Sequence, residues 1–372
     1  MNIVIDRNIR GAETTFGRHG SLRVMDGRAI RRADLADADL LIVRTATRVD
    51  RDLLHGTPVR FVGTTSIGTD HFDIPYLDAA GIAWANAPGC NADSAAEYTL
   101  AMIWLACQRL GRSLAGSRAG IVGRGNVGSR TLRLLHTLGV DVVANDPPLA
   151  DAGVTGLVSL NEALECDIVC LHVPLTRDGP YPTWRMIDPR ALARLRDGAL
   201  LVNAARGDVV DGPALRSALE RGRMHAALDV WPGEPQLDPQ LLRRTVVATP
   251  HVAGYSDDGK RNGTRMVYEA FCAWSGEAPV AAEPNADRSL SLHLDPDRDA
   301  LTQALEAACF VPRHDAALGE LADRPTAEIA RGFDRLRKEY PFRRDFRGWR
   351  IRGARDADAE RLAALGFIVA DD

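Results

Sequence analysis

A glycine-rich bend between an apolar strand and an amphipathic helix leaves this chain few folds to choose from. Ala119-Gly120-Ile121-Val122 is a short apolar run ending in Gly123-Arg124-Gly125-Asn126-Val127-Gly128. Val127, Thr131, Leu134, Leu135 and Leu138 then recur at helical spacing. In such a unit the first glycine makes the tight turn and the second lets backbone approach a pyrophosphate. The third lets the helix pack against its strand, while the helix N-terminus offers N–H groups to the anion. Gly123, Gly125, Asn126, Val127 and Gly128 are therefore expected to bind a dinucleotide. A buried strand follows over 140–144, and Asp146 closes it, eighteen residues after Gly128. That is close to the ~20 expected for an acid that binds an adenosine ribose. Pro147 and Pro148 follow it, and no arginine that would welcome a 2′-phosphate, which favours NAD over NADP.

At 372 residues the chain exceeds one ordinary core, so two or three domains are expected. A net charge of −4 gives no global attraction to nucleic acid or to an anionic membrane. There is no apolar run of about 18 residues, and Met1-Asn2-Ile3-Val4-Ile5-Asp6 reads as a first strand and not as a secretory signal. A cytoplasmic protein is expected, with neither nucleic acid nor membrane as a partner. Cys90, Cys107, Cys166, Cys170, Cys272 and Cys309 are scattered through apolar surroundings. They read as buried, reduced thiols, and no metal site is expected.

Residues 1–97 form an α/β unit with strand-like runs at 3–5, 40–43, 61–62 and 82–84. Hydroxyl-rich loops, Arg44 to Thr47 and Gly63 to Asp70, follow two of these strands. Their side chains serve either a ligand beyond the strand ends or the turns themselves. Ser94-Ala95-Ala96-Glu97 has the S-x-x-E spacing of a capping box opening a long helix through Cys107. After the glycine loop, strands are expected at 140–144, 168–172, 200–203, 225–228 and 246–248. The fold class is thus α/β, with two doubly wound parallel-sheet domains, one flavodoxin-like and one Rossmann. Pro279 to Asn285 reads as a linker. Beyond it a small C-terminal α+β unit has strands at 290–294, 349–352 and 367–369, and helices near 298–309, 326–340 and 356–364. Its basic residues Arg335, Arg337, Lys338, Arg343, Arg344 and Arg347 are interleaved with acids, which suggests a solvated or subunit-contact face.

Several strands of the second domain end in chemically capable residues. Arg206 follows one, Glu234 another and His251 a third, so all three are placed on one rim of the sheet. A carboxylate at one ring nitrogen fixes the tautomer of an imidazole and leaves the other nitrogen to take a hydroxyl proton. An arginine fork can hold a substrate carboxylate in two hydrogen bonds. Beside a nicotinamide, this set suits hydride transfer between a 2-hydroxy acid and its 2-oxo acid.

These segments resemble the D-isomer-specific 2-hydroxyacid dehydrogenases. The likeness rests on Gly123 to Gly128, Asn203-Ala204-Ala205-Arg206-Gly207, Leu228-Asp229-Val230 to Glu234, and Thr249-Pro250-His251-Val252-Ala253-Gly254. A narrower branch is indicated by Gly63 to His71, Ala87 to Ala92, Asp146-Pro147-Pro148, Asp178 to Tyr181 and Ala253-Gly254-Tyr255, together with a tail carrying Phe333 to Lys338. The resemblance implies that Arg206, Glu234 and His251 are catalytic. It places substrate contacts at Thr45, Ser66 and Tyr255, and NAD contacts at Asp146, Val173, Asp229 and Gly254. Thr45 stands where serine is usual and Ser66 where threonine is usual; both keep a hydroxyl. Glu97-Tyr98 replaces the Glu-His of the wider family, as in the narrower branch.

The implied substrate is a small phosphorylated 2-hydroxy acid oxidised at C2, within pyridoxal 5′-phosphate biosynthesis, and Arg44 is the expected phosphate partner. The implied assembly is a homodimer through the C-terminal domain. The domain division expected is 1–97 with 255–285 for substrate, 98–254 for NAD and 286–372 for dimerisation. A sibling such as phosphoglycerate dehydrogenase, or a non-catalytic NAD-sensing protein, are the alternatives.

Overall fold

The structure, a computed structural model, describes residues 1–280 and 289–370. The expected linker over 279–285 therefore lies largely outside the described residues. Two compact units are present, one of residues 1–91 and 256–288 and one of residues 92–255 and 289–372.

The first unit holds a five-stranded sheet in the order β2-β1-β3-β4-β5, all parallel. Its strands are β1 (Asn2–Asp6), β2 (Ser21–Met25), β3 (Leu40–Val43), β4 (Phe61–Thr64) and β5 (Ala83–Ala85). Ile3, Ile5, Leu40 and Ile42 pack into one core, while Val4, Leu41, Val43 and Val62 pack into another on the opposite face. Burial on both faces is what turns these strands into nearly continuous apolar runs. The edge strand β2 escapes that rule: Ser21, Arg23 and Val24 are exposed, so no apolar run announces it in the sequence.

The second unit holds a six-stranded parallel sheet in the order β11-β10-β9-β8-β6-β7. These strands are β6 (Arg118–Val122), β7 (Asp141–Asn145), β8 (Ile168–Leu171), β9 (Leu200–Asn203), β10 (His225–Leu228) and β11 (Val247–Ala248). Alternation again feeds two cores: Ile121, Cys170, Val202 and Ala227 on one face, Val122, Leu171, Leu201 and Leu228 on the other. The chain leaves β6 towards β7 on one side and continues with β8 on the other. The crevice at the carboxyl ends of β6 and β8 is therefore the topological switch point where such sheets bind ligands. All six cysteines are buried free thiols, as expected.

The same unit carries a three-stranded parallel sheet, β12 (Leu290–His293), β13 (Trp349–Arg352) and β14 (Ile368–Val369). Its helices Ala300–Cys309, Thr326–Lys338 and Asp356–Leu365 lie where helical spacing placed them; a further helix, Val311–Gly319, was not anticipated. Leu305, Cys309, Phe346 and Ile351 share one core with Tyr98, Met102 and Ile103 of helix Ala92–Arg109.

That contact corrects two sequence expectations. Helix Ala92–Arg109 begins before Ser94, so Ser94 and Glu97 lie inside it and form no capping box. Ser94 instead donates its hydroxyl to Asp345 at 2.7 Å, and Glu97 accepts the Phe346 N–H at 3.0 Å. Nor is the basic cluster a solvated face throughout: Arg343 and Arg344 are buried. Arg343 donates to the carbonyls of Ser94 and Ala253 at 2.5 and 3.1 Å and lies over the Tyr98 ring.

Candidate active site

Parallel register sets the rim. Asn203 of β9 pairs with Leu228 of β10, and Leu228 pairs with Ala248 of β11. The three strands therefore release their chains at one level, and the loops bearing Arg206, Glu234 and His251 leave side by side.

His251 has a φ of 56°, a left-handed backbone that residues with a Cβ rarely adopt. Asp229 holds it there. The Asp229 carbonyl accepts the His251 N–H at 2.7 Å. Its carboxylate, 1% exposed, accepts the Thr249 hydroxyl at 2.6 Å and the N–H groups of Val252 and Ala253, both at 2.9 Å. Asp229, expected as a cofactor contact, thus braces the histidine loop from within.

Glu234 reaches Nδ1 of His251 with one carboxylate oxygen in a short hydrogen bond. Its other oxygen accepts the Trp231 N–H at 3.0 Å. Burial works against the Glu234 charge. The hydrogen bond and charge of His251, the Trp231 N–H and the charge of Arg337 outweigh it, so the carboxyl is held below its ordinary value. In the neutral ring, with Nδ1–H directed at the carboxylate, Nε2 carries the free lone pair. Arg206 donates one N–H to the Ala205 carbonyl at 2.8 Å and has no ion-pair partner among the described residues. Asn203 ties its loop, accepting the Ala205 N–H and donating to the Arg206 carbonyl, each at 3.0 Å.

The glycine loop fits a dinucleotide. Gly123 has a φ of 92° and its N–H donates to the Asn145 carbonyl at 2.8 Å. A Cβ on Gly128 would lie 1.9 Å from the Gly123 carbonyl oxygen, so only glycine allows the helix this close. A Cβ on Gly125 would meet nothing within 4 Å, leaving open space beside the backbone. Helix Asn126–Thr137 has no side-chain cap at its N-terminus, so its first N–H groups, at Asn126, Val127 and Gly128, suit a phosphate. Asp146 accepts the N–H groups of Arg124 and Leu149 at 2.8 and 3.1 Å, which fixes its carboxylate beside the loop. Val173, at the end of β8, has Cγ1 2.9 Å from where a Gly123 Cβ would sit, on the other wall of the switch point. Gly254 and Tyr255 continue the segment that carries His251.

Thr45 and Ser66 belong to the first unit. Val43 pairs with Thr64, so the loops after β3 and β4, which hold Thr45 and Ser66, start at one level. Thr45 is exposed and Ser66 half-buried. Arg44 faces the buried Asp6 carboxylate at 3.4 Å, so its charge is already matched.

Arg337, which the motifs did not single out, meets one of the expected substrate contacts. It donates to the Tyr255 hydroxyl at 3.3 Å and lies over the Phe333 ring at 5.7 Å. Helical spacing could have found it, because Ile329, Phe333 and Arg337 recur every four residues and the first two are fully buried.

Residues 91–253 match the family described as "D-isomer specific 2-hydroxyacid dehydrogenase, NAD binding domain". The chain is 45% identical over 376 residues to a protein of Pseudomonas entomophila (strain L48) named erythronate-4-phosphate dehydrogenase, covering 98% of each. It is also 45% identical to the protein of that name from Pseudomonas aeruginosa, covering 98% of this chain and 99% of the relative. A solved D-lactate dehydrogenase of Aquifex aeolicus, complexed with NAD and lactic acid, superposes with a TM-score of 0.61 at 26% identity. That match covers 74% of this chain and 96% of the other. The chain belongs to the D-isomer-specific 2-hydroxyacid dehydrogenases, which are NAD-dependent enzymes, and groups within them with proteins named erythronate-4-phosphate dehydrogenase.

Proposed function

We propose that this enzyme oxidises 4-phospho-D-erythronate at C2 to 2-oxo-3-hydroxy-4-phosphobutanoate, a step towards pyridoxal 5′-phosphate. The observation that carries the chemistry is the Glu234 carboxylate on Nδ1 of His251, which leaves Nε2 as a base at the carboxyl-end rim of the sheet. Nε2 takes the C2 hydroxyl proton, and Glu234 stabilises the imidazolium that forms. Arg206 holds the C1 carboxylate in its fork and draws charge from the adjacent C–O bond. Thr45, Ser66 and Tyr255 supply hydroxyls to the substrate. Gly123 to Gly128, Asp146, Val173, Asp229 and Gly254 line the place of the cofactor. Bound NAD supplies the acceptor for the hydride that leaves C2.

The C-terminal segment serves as the dimerisation domain of a homodimer in the cytoplasm. Among the described residues no helix is long and apolar enough to cross a membrane. A turnover assay with 4-phospho-D-erythronate, 3-phosphoglycerate and D-lactate tests the substrate, with a 2-oxo acid present to reoxidise any retained NADH. Preference for the erythronate is expected. Preference for 3-phosphoglycerate would overturn the substrate, and NAD binding without turnover of any hydroxy acid would point to a sensor.

A further inference from the structure

Among the described residues, Arg337 has no carboxylate within ion-pair distance. Its helix, Thr326–Lys338, buries Ile329 and Phe333, and this places the guanidinium on the Phe333 ring and half out of water. One Nη2 hydrogen goes to the Tyr255 hydroxyl at 3.3 Å, and Nε is buried without any partner. No carboxylate pairs with Arg337 among the described residues. Two other half-buried arginines do have carboxylate partners: Arg44 faces Asp6 at 3.4 Å, and Arg130 pairs with Asp93 at 2.5 Å. Withdrawing a guanidinium from water without a counter-ion is unfavourable, and an arriving anion relieves that penalty.

The setting of Arg337 says which anion. Arg337 meets Tyr255, four residues beyond His251 on the segment that carries the catalytic histidine, and its charge is one of those acting on Glu234. Arg206, from another strand end, is the natural holder of the C1 carboxylate. A substrate with a second anionic group needs a second fork. Arg337 also lies beyond residue 253, where the match to the family's NAD-binding domain ends.

We infer that Arg337 binds the phosphate of the substrate, with Nη1 and the free N–H of Nη2 as donors and the Tyr255 hydroxyl beside them. The inference rests on the reading of 4-phospho-D-erythronate as substrate. It assigns to the C-terminal segment a part in substrate selection.

The test compares wild type, Arg337→Met, Arg337→Lys and Arg44→Ala, with 4-phospho-D-erythronate and with D-erythronate. Inorganic phosphate serves as a competing inhibitor, and NAD affinity as the check on folding. Arg337→Met is expected to reduce the kcat/KM preference for the phosphorylated acid about 10- to 100-fold, mainly through KM, the loss of a charged hydrogen-bonded contact. The inhibition constant for phosphate should rise by a similar factor. Arg337→Lys should recover part of both, since it restores charge without the fork. Equal losses on the two acids would overturn the inference and leave Arg337 as a positioning residue for Tyr255. An unchanged preference would overturn it too, as would loss of the preference in Arg44→Ala alone. If wild type rejects 4-phospho-D-erythronate, the substrate reading fails. Phosphate inhibition, measured on whichever hydroxy acid is accepted, then still decides the role of Arg337.

Discussion

Asp229 grips His251 from both sides of one peptide segment: its carbonyl accepts the His251 N–H, and its carboxylate accepts the next two N–H groups in the chain. A histidine at a φ of 56° is thus held by a buried acid that need not touch the substrate to matter. Asp229→Asn keeps the size but turns an N–H₂ towards a donor. We expect a stability loss of about 1.5–3 kcal/mol in urea unfolding, together with a fall in kcat, because the loop is left with an unmatched N–H. Unchanged stability would show that the brace is unimportant.

Glu234→Gln keeps a hydrogen-bond acceptor and removes the charge that stabilises the imidazolium. A fall in kcat of about 10²- to 10⁴-fold is expected, with NAD affinity little affected. Since the Glu234 carboxyl is held below its usual 4.5, its contribution to stability is complete above that pH. The contribution is lost as pH falls through the depressed folded value. Urea midpoints of wild type and Glu234→Gln should therefore converge as pH drops below 4.5.

His172 titrates in the opposite sense. It follows β8 directly and is half-buried, with both ring nitrogens buried and unpartnered, and burial pushes its pKa down to about 4 from 6.5. The unfolded chain therefore binds this proton first. Stability is unaffected above pH 6.5, falls as pH drops towards 4, and levels off below. At pH 5 the loss from His172 is about 2 kcal/mol, 1.5 pH units at about 1.36 kcal/mol each. His172→Phe should show a smaller drop between pH 7.5 and pH 5 in urea unfolding, and an equal drop would contradict the assignment.

Gly128→Ala introduces a Cβ 1.9 Å from the Gly123 carbonyl oxygen. The helix must retreat from the loop, and a stability loss of about 1–3 kcal/mol is expected, with weaker NAD binding by titration. Gly125→Ala has open space in the protein itself, so it should weaken NAD binding with little loss of stability.

The central strands of the two larger parallel sheets were legible because both their faces are buried, which writes uninterrupted apolar runs such as Leu40 to Val43 and Leu200 to Val202. The signal vanished at the edge strand β2, where Ser21, Arg23 and Val24 are all exposed. Arg206, Glu234 and His251 were legible because a parallel sheet delivers successive strand ends to one edge, so position in the chain implied position on the rim. Ser94 and Glu97 misled because a capping box and a pair of buried contacts to a distant segment look alike in one dimension. Their partners, Asp345 and Phe346, lie about 250 residues away. Arg343 was hidden for the same reason: what makes a buried arginine acceptable is a carbonyl or a ring contributed from elsewhere in the fold.

The proton relay itself is tested most directly by kinetics of His251→Asn with 4-phospho-D-erythronate and NAD. Removing the base should lower kcat by about 10²- to 10⁴-fold while NAD binds nearly as tightly as in wild type. Turnover within a few-fold of wild type would contradict the role given to the Glu234–His251 pair.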